Sequence, residues 1–148
     1  MLPFGVGTIY ALSFSMRRES LLRGGLVGIL LGVGLGFQTA EQSLSQIEQG
    51  LRKGEVKLIL PYLHDPVEIA ISGKAKMYSR TQAEYVLKDF FKSHPPRGFT
   101  FMHRGRSENV LYAIGAYHGQ SEQWDVSVFG RIERGRYQVE QLRFEAVE

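Results

Sequence analysis

Residues Tyr78-Ser79-Arg80-Thr81-Gln82-Ala83-Glu84-Tyr85-Val86-Leu87-Lys88-Asp89-Phe90-Phe91-Lys92-Ser93, followed by His94-Pro95-Pro96, decide how this chain is read. Ala83, Val86, Leu87, Phe90 and Phe91 recur at i, i+3, i+4, i+7 and i+8, one stripe of an α-helix. Ser79 with Gln82 three residues on forms a capping box, in which each side chain satisfies a backbone N–H of the other residue. Pro95 and Pro96 end the helix, because a proline disfavours helical geometry in the residue before it. Arg80, Glu84, Lys88 and Lys92 make the polar face, and Glu84 to Lys88 is a favourable i,i+4 pair. An aromatic stripe of this kind needs a broad apolar surface to lie on.

The chain after Pro96 supplies that surface. Phe99, Phe101 and His103 alternate with Thr100, Met102 and Arg104, which is strand periodicity. Ser107-Glu108-Asn109 breaks the run. Leu111 to His118 forms the next strand, Trp124, Val126 and Val128 mark a third, and Glu133-Arg134-Gly135 turns the chain into a fourth, Tyr137 to Ala146. In this last strand Tyr137 and Val139 share one phase, and Leu142 and Phe144 share the other. A switch near Glu140-Gln141 predicts a β-bulge, which bends a strand.

Upstream, Leu44, Ile47 and Leu51 predict a helix over 41–52, ended by Gly54. A second, short helix is expected over 55–63, disturbed by Pro61. His64-Asp65-Pro66 reads as a turn and Val67 to Ser72 as a strand. Gly73 to Lys76 reads as a tight polar connection, with Met77-Tyr78 pairing back. The expectation is an α+β domain over 41–148: two short helices, then one long helix packed on a bent antiparallel sheet.

That order resembles the nuclear-transport-factor-2-like fold, a cone whose curved sheet wraps helices. A closer resemblance is to the small exported bacterial proteins of the domain of unknown function 4783 family. It rests on Met77-Tyr78-Ser79, Ala83-Glu84, Val86-Leu87-Lys88-Asp89-Phe90-Phe91, Pro95-Pro96, Tyr112-Ala113-Ile114-Gly115-Ala116-Tyr117 and Gln141-Leu142-Arg143-Phe144-Glu145. The resemblance spans roughly residues 41–146. It implies a fold and an export context, and no catalytic residues.

Residues 1–40 read as a separate front segment. Arg17, Arg18 and Arg23 form a positive region, Leu26 to Phe37 a short apolar run, and Thr39-Ala40 offers a small residue before Glu41. This is the pattern of a secretory signal. The run is shorter than the roughly 20 apolar residues of a membrane span. Export with cleavage is therefore the expectation, and a membrane anchor over 20–37 is the alternative. Residues 1–15 are uncharged and precede this pattern, so Met16 reads as the true start.

The 148 residues hold 18 basic and 15 acidic side chains. Beyond residue 40 the balance is 15 to 14, so the body lacks the basic footprint of a nucleic-acid binder. There is no cysteine, which excludes disulfides and thiolate metal sites. His94, His103 and His118 have no metal-ligand spacing, and no cofactor motif is present.

Two candidate sites follow. Enzymes of the resembling fold, ketosteroid isomerase among them, set an acidic base and a hydroxyl donor in the cone. Tyr62, His103 and Tyr117 are the candidate pocket residues, His103 because it alternates in phase with Phe99 and Phe101. No acid stands clearly opposite a donor, so acid–base chemistry has a weak case. The second site is a rim of Arg104, Arg106, Arg131, Arg134 and Arg136. The first and third turns of a meander lie at one end, and gathered arginines suit planar anions. The functional expectation is an exported, non-catalytic module binding a small ligand or a protein partner, with a homodimer through the sheet. The alternatives are a pocket enzyme of the isomerase or hydrolase type and a structural envelope protein.

Overall fold

A computed structural model describes residues 39–148. The expectations for Met16, the arginines of the front segment and its apolar run lie outside the described residues. Helix α1 (Ala40–Lys53) begins at Thr39, whose hydroxyl accepts from the Gln42 N–H while the Gln42 side chain accepts from Thr39 N. Gly54 closes it in the left-handed region at φ 68°, where a Cβ would be strained. The stripe of Leu44, Ile47 and Leu51 is buried.

The expected short helix at 55–63 is instead two 3₁₀ turns, Val56–Leu58 and Leu60–Tyr62. Pro61 has no N–H to extend a hydrogen-bond ladder, so neither turn lengthens. His64-Asp65-Pro66 lies inside strand β1 (Leu63–Ile71) rather than forming a turn of its own. The pairing of β1 slips its register between Leu63 and Glu68, which absorbs the proline. The turn after β1 is Ser72-Gly73, tighter than expected, and β2 (Lys74–Tyr78) pairs back along β1.

Helix α2 (Arg80–Ser93) carries the aromatic stripe. Both halves of its capping box form, at 3.0 and 3.2 Å. Ala83, Leu87, Phe90 and Phe91 are buried and Val86 is half-buried. Four long strands follow: β3 (Gly98–Ser107), β4 (Val110–His118), β5 (Gln123–Glu133) and β6 (Arg136–Ala146).

The six strands form one sheet in the order β2-β1-β6-β5-β4-β3. Every neighbouring pair is antiparallel except β1 and β6, which run parallel, so the sheet is mixed. That pair joins the two ends of the fold, so no local periodicity foretells it. The helices share the concave face: α1 packs on β3 and β4, and α2 on β1 and β2. Arg52 donates to the Phe99 carbonyl at 3.1 Å and Arg80 to the Leu63 carbonyl at 2.8 Å, tying each helix to the sheet.

Two bulges bend the sheet over the helices. On β6 the register jumps from Phe129↔Gln141 to Gly130↔Val139, leaving Glu140 as the extra residue where the phase switch predicted it. On β3 it jumps from Phe101↔Gly115 to His103↔Ile114, leaving Met102 extra. Each bulge faces a glycine on the next strand. A Cβ on Gly115 would meet the Thr100 carbonyl at 2.3 Å, and one on Gly130 would meet the Gln138 carbonyl at 2.4 Å. The backbones approach closely there, and only glycine leaves room.

Candidate functional site

The concave interior is filled by aromatic rings from both layers. Phe90 lies at its centre, with ring centroids 4.3 Å from Phe144, 5.2 Å from Trp124 and 5.6 Å from Tyr117. Phe99 and Phe101, from β3, pack edge to face at 4.9 Å. Among the described residues, the one buried polar or charged side chain that is not aromatic is Ser43, whose hydroxyl donates to the Thr39 carbonyl. The two buried phenols are committed to backbone: Tyr117 donates to the His94 carbonyl and Tyr137 to the Leu111 carbonyl. Burial pushes both phenols well above their ordinary range, so both stay protonated. Among the described residues, Trp124 Nε1 is buried with no hydrogen-bond partner.

The expected pocket residues do not converge. Tyr117 is fully buried core, whereas His103 is exposed on the opposite face of the sheet. The bulge at Met102 is the reason: it advances the alternation by one, so His103 pairs with outward-facing Ile114 and leaves the phase of Phe99 and Phe101. Tyr62 is half-buried in the second 3₁₀ turn and packs against the core.

The arginine rim is assembled in part. The first and third turns of the meander adjoin, with Ile132 donating to the Asn109 carbonyl at 2.7 Å. Arg104 reaches back to α1, where its two terminal nitrogens bind Glu41 and Glu48 at 3.0 Å each. Arg131 pairs with Glu140 at 3.3 Å, and Arg106 donates to the Glu108 carbonyl. Arg134 sits in the β5–β6 turn at φ 52°, and Arg136 opens β6, both exposed. Among the described residues, no group of three His, Asp or Glu side chains is placed to hold a metal ion.

Two features leave no mark in local sequence pattern. His94, at the end of α2, places Nδ1 2.9 Å from Glu122 Oε1 in the β4–β5 connection. That hydrogen bond, and next the Ser121 N–H, hold the Glu122 carboxyl below its ordinary value of 4.5. The other feature is the outer face of the sheet. Tyr112 and Ile114 are 41% and 39% exposed there, and Met102 is 67% exposed. A shallow depression of about 260 Å³ lies among Tyr112, Ile114, Ser127, Phe129, Gln141 and Arg143. Alternation alone hides such a patch, because an apolar residue on the outer phase reads as an interruption rather than a surface.

The family described as "Domain of unknown function (DUF4783)" matches residues 44–145. A DUF4783 family protein from Bacteroides uniformis has a similar structure: TM-score 0.67 and 22% identity, over 70% of this chain and 96% of that one. Its counterpart from Bacteroides fragilis gives a TM-score of 0.66 at 24% identity, over 69% of this chain and 96% of that one. An NTF2-like protein of unknown function from Shewanella baltica gives 0.59 at 12% identity, over 72% and 90%. At these identities the likeness is one of fold. No curated protein matches the chain. Among the described residues no helix is long and apolar enough to cross a membrane.

Proposed function

The chain belongs to the DUF4783 family, and from that premise we propose that it is an exported, non-catalytic binding module that pairs with a second copy of itself through the outer face of its sheet. One observation carries the non-catalytic part. The cone interior, where enzymes of this fold place an acid or base, holds packed aromatic rings and no buried carboxylate or imidazole among the described residues. General acid–base catalysis needs such a group within reach of a substrate proton. The arginine rim is not part of this reading, since Arg104 and Arg131 already face carboxylates.

The outer face supports self-association. Its middle is apolar, with Tyr112, Ile114 and Phe129, and its margins carry both signs, with Asp125, Glu145 and an Arg143 that also faces Glu68 at 3.5 Å. An apolar centre with a polar rim is the anatomy of a protein interface. A two-fold axis sets the same patch against itself and allows unlike charges to meet. Four strands about 4.8 Å apart and about ten residues long span roughly 19 by 33 Å. That is of the order of the ~800 Å² per partner that stable interfaces bury.

Sedimentation equilibrium of the full chain and of Ile114→Glu tests this reading. The parent should be a dimer at micromolar concentration and the variant a monomer with an unchanged thermal midpoint. A parent that stays monomeric to about 100 μM, well above the μM range of ordinary interfaces, would overturn it. Export rests on the arginine and apolar pattern of the front segment, and N-terminal sequencing of protein from its native cell tests it. A mature chain beginning upstream of Glu41 would remove cleavage at that position.

A further inference from the structure

Besides the outer depression, the described residues leave open space at the free end of the β1–β2 hairpin, on the concave side. β2 is an edge strand of the sheet. Its register sets Lys74 beside Ile71, Lys76 beside Ile69 and Tyr78 beside Val67. Directly paired residues share a face, and Ile69 and Val67 belong to the core. Lys74, Lys76 and Tyr78 therefore stand on the inner face, while Ala75 and Met77 take the outer one. These inner residues, with Ile69, Ile71 and Ser72, line a slot of about 370 Å³. Ligand pockets run from about 300 to 1,000 Å³, so the slot suits a small molecule.

The chemistry of the slot is two-part. Its floor is aliphatic, with Ile69 and Ile71. Its wall carries two ammonium groups, from residues about 6.7 Å apart along the strand. Neither lysine has an acid partner among the described residues, whereas Lys88 is paired with Glu84 at 2.6 Å. Lysine is a compact charge on an apolar stem, so each side chain extends the floor while presenting a cation.

We propose that this slot binds a monomeric amphiphilic anion, a single-chain alkyl carboxylate. The carboxylate sits between the Lys74 and Lys76 ammonium groups, and the alkyl chain lies along Ile69, Ile71 and the Tyr78 ring. The site and the self-association surface are on opposite sides of the sheet, so each stands or falls by its own measurement.

Calorimetric titration of the full chain with octanoate, decanoate and dodecanoate, each below its micellar concentration, tests the assignment. One site per chain is expected, with affinity rising about three- to fourfold per added methylene. Lys74→Gln/Lys76→Gln should weaken dodecanoate at least tenfold and leave dodecanol unchanged. Both lysines are exposed, so the variant should keep the parent thermal midpoint, which is measured alongside. Ile71→Ser should reduce the gain per methylene while retaining the preference for carboxylate over alcohol. Equal binding by the lysine variant, or dodecanol binding as tightly as dodecanoate, would show that the lysines only guard a strand edge. Lysine-dependent retention on phosphatidylglycerol vesicles without dodecanoate binding would make the slot a membrane contact. Either result overturns the proposal.

Discussion

Tyr117, on β4, donates its hydroxyl to the backbone carbonyl of His94, the residue that ends α2. The last carbonyls of a helix have no partner within it. This bond supplies one from the sheet, and the Tyr117 ring also packs against Phe90 and Phe91. The helix terminus is thus anchored to β4, whereas the body of the helix packs on β1 and β2.

Tyr117→Phe keeps the ring and deletes the donor. A neutral hydrogen bond contributes about 1 kcal/mol net, so urea unfolding should show a loss of that size. The slope of the transition should be unchanged, because the surface exposed on unfolding is the same. Parent-like stability would mean that the bond adds nothing beyond packing.

The His94–Glu122 contact makes stability depend on pH in a set direction. The Glu122 carboxyl is held below its ordinary 4.5, first by the hydrogen bond from His94 and next by the Ser121 N–H. A carboxyl with a depressed folded-state pKa contributes stability that is full above its unfolded value. The contribution is lost as pH falls through the folded one. The thermal midpoint of Glu122→Gln should trail the parent at pH 7, and the gap should close below about pH 4.5, the carboxyl's ordinary value. A gap that is constant from pH 7 to 3 would show that the carboxylate is not the source.

Phe90 touches rings from α2, β4, β5 and β6. Replacing it with alanine removes a buried ring that its neighbours cannot refill, at a cost of about 3–5 kcal/mol. Trp124, 5.2 Å away, is the chain's one tryptophan. Its fluorescence should shift to the red in Phe90→Ala as water reaches the vacated space.

Gly130 faces the Glu140 bulge. An alanine Cβ there would sit 2.4 Å from the Gln138 carbonyl and 2.8 Å from the Tyr137 ring. Gly130→Ala should cost about 1–3 kcal/mol through overpacking. Gly98→Ala, where a Cβ meets nothing within 4 Å, should be nearly neutral. Equal effects at both positions in chemical denaturation would remove the case that the bulge requires glycine.

Thr39 caps α1 just upstream of the proposed cleavage point. In the full chain Thr39→Ala should lower stability by about 1 kcal/mol, the ordinary worth of such a cap. Cleavage between Ala40 and Glu41 removes this residue and leaves a positive amino terminus at the helix start, where negative charge is preferred. Protein processed at that position should therefore unfold more readily than the full chain by about the same 1 kcal/mol or slightly more.

Both helices, the four long strands and the Glu140 bulge are legible in the residues because each leaves a local mark. Ser79 and Gln82 cap α2 from within four residues, and the slip between Val139 and Leu142 writes the bulge into one strand. The bulge at Met102 leaves no such mark, because Met102 and His103 do not reveal which of them faces in. That single residue moved His103 from the candidate pocket to the outer surface. The short elements before β1 are less legible, since Pro61 and Pro66 weaken every local pattern around them.

The amphipathic helices, the bent meander and the aromatic content of the core are written in the order of residues, because period and capping act over a few positions. The parallel pairing of β1 with β6 and the closing of the cone by aromatic rings arise only when the whole chain packs. The same packing sets Lys74 and Lys76 over an aliphatic floor. Those facts depend on which distant segments meet, and that is settled by the packing of the whole chain rather than by any stretch of it.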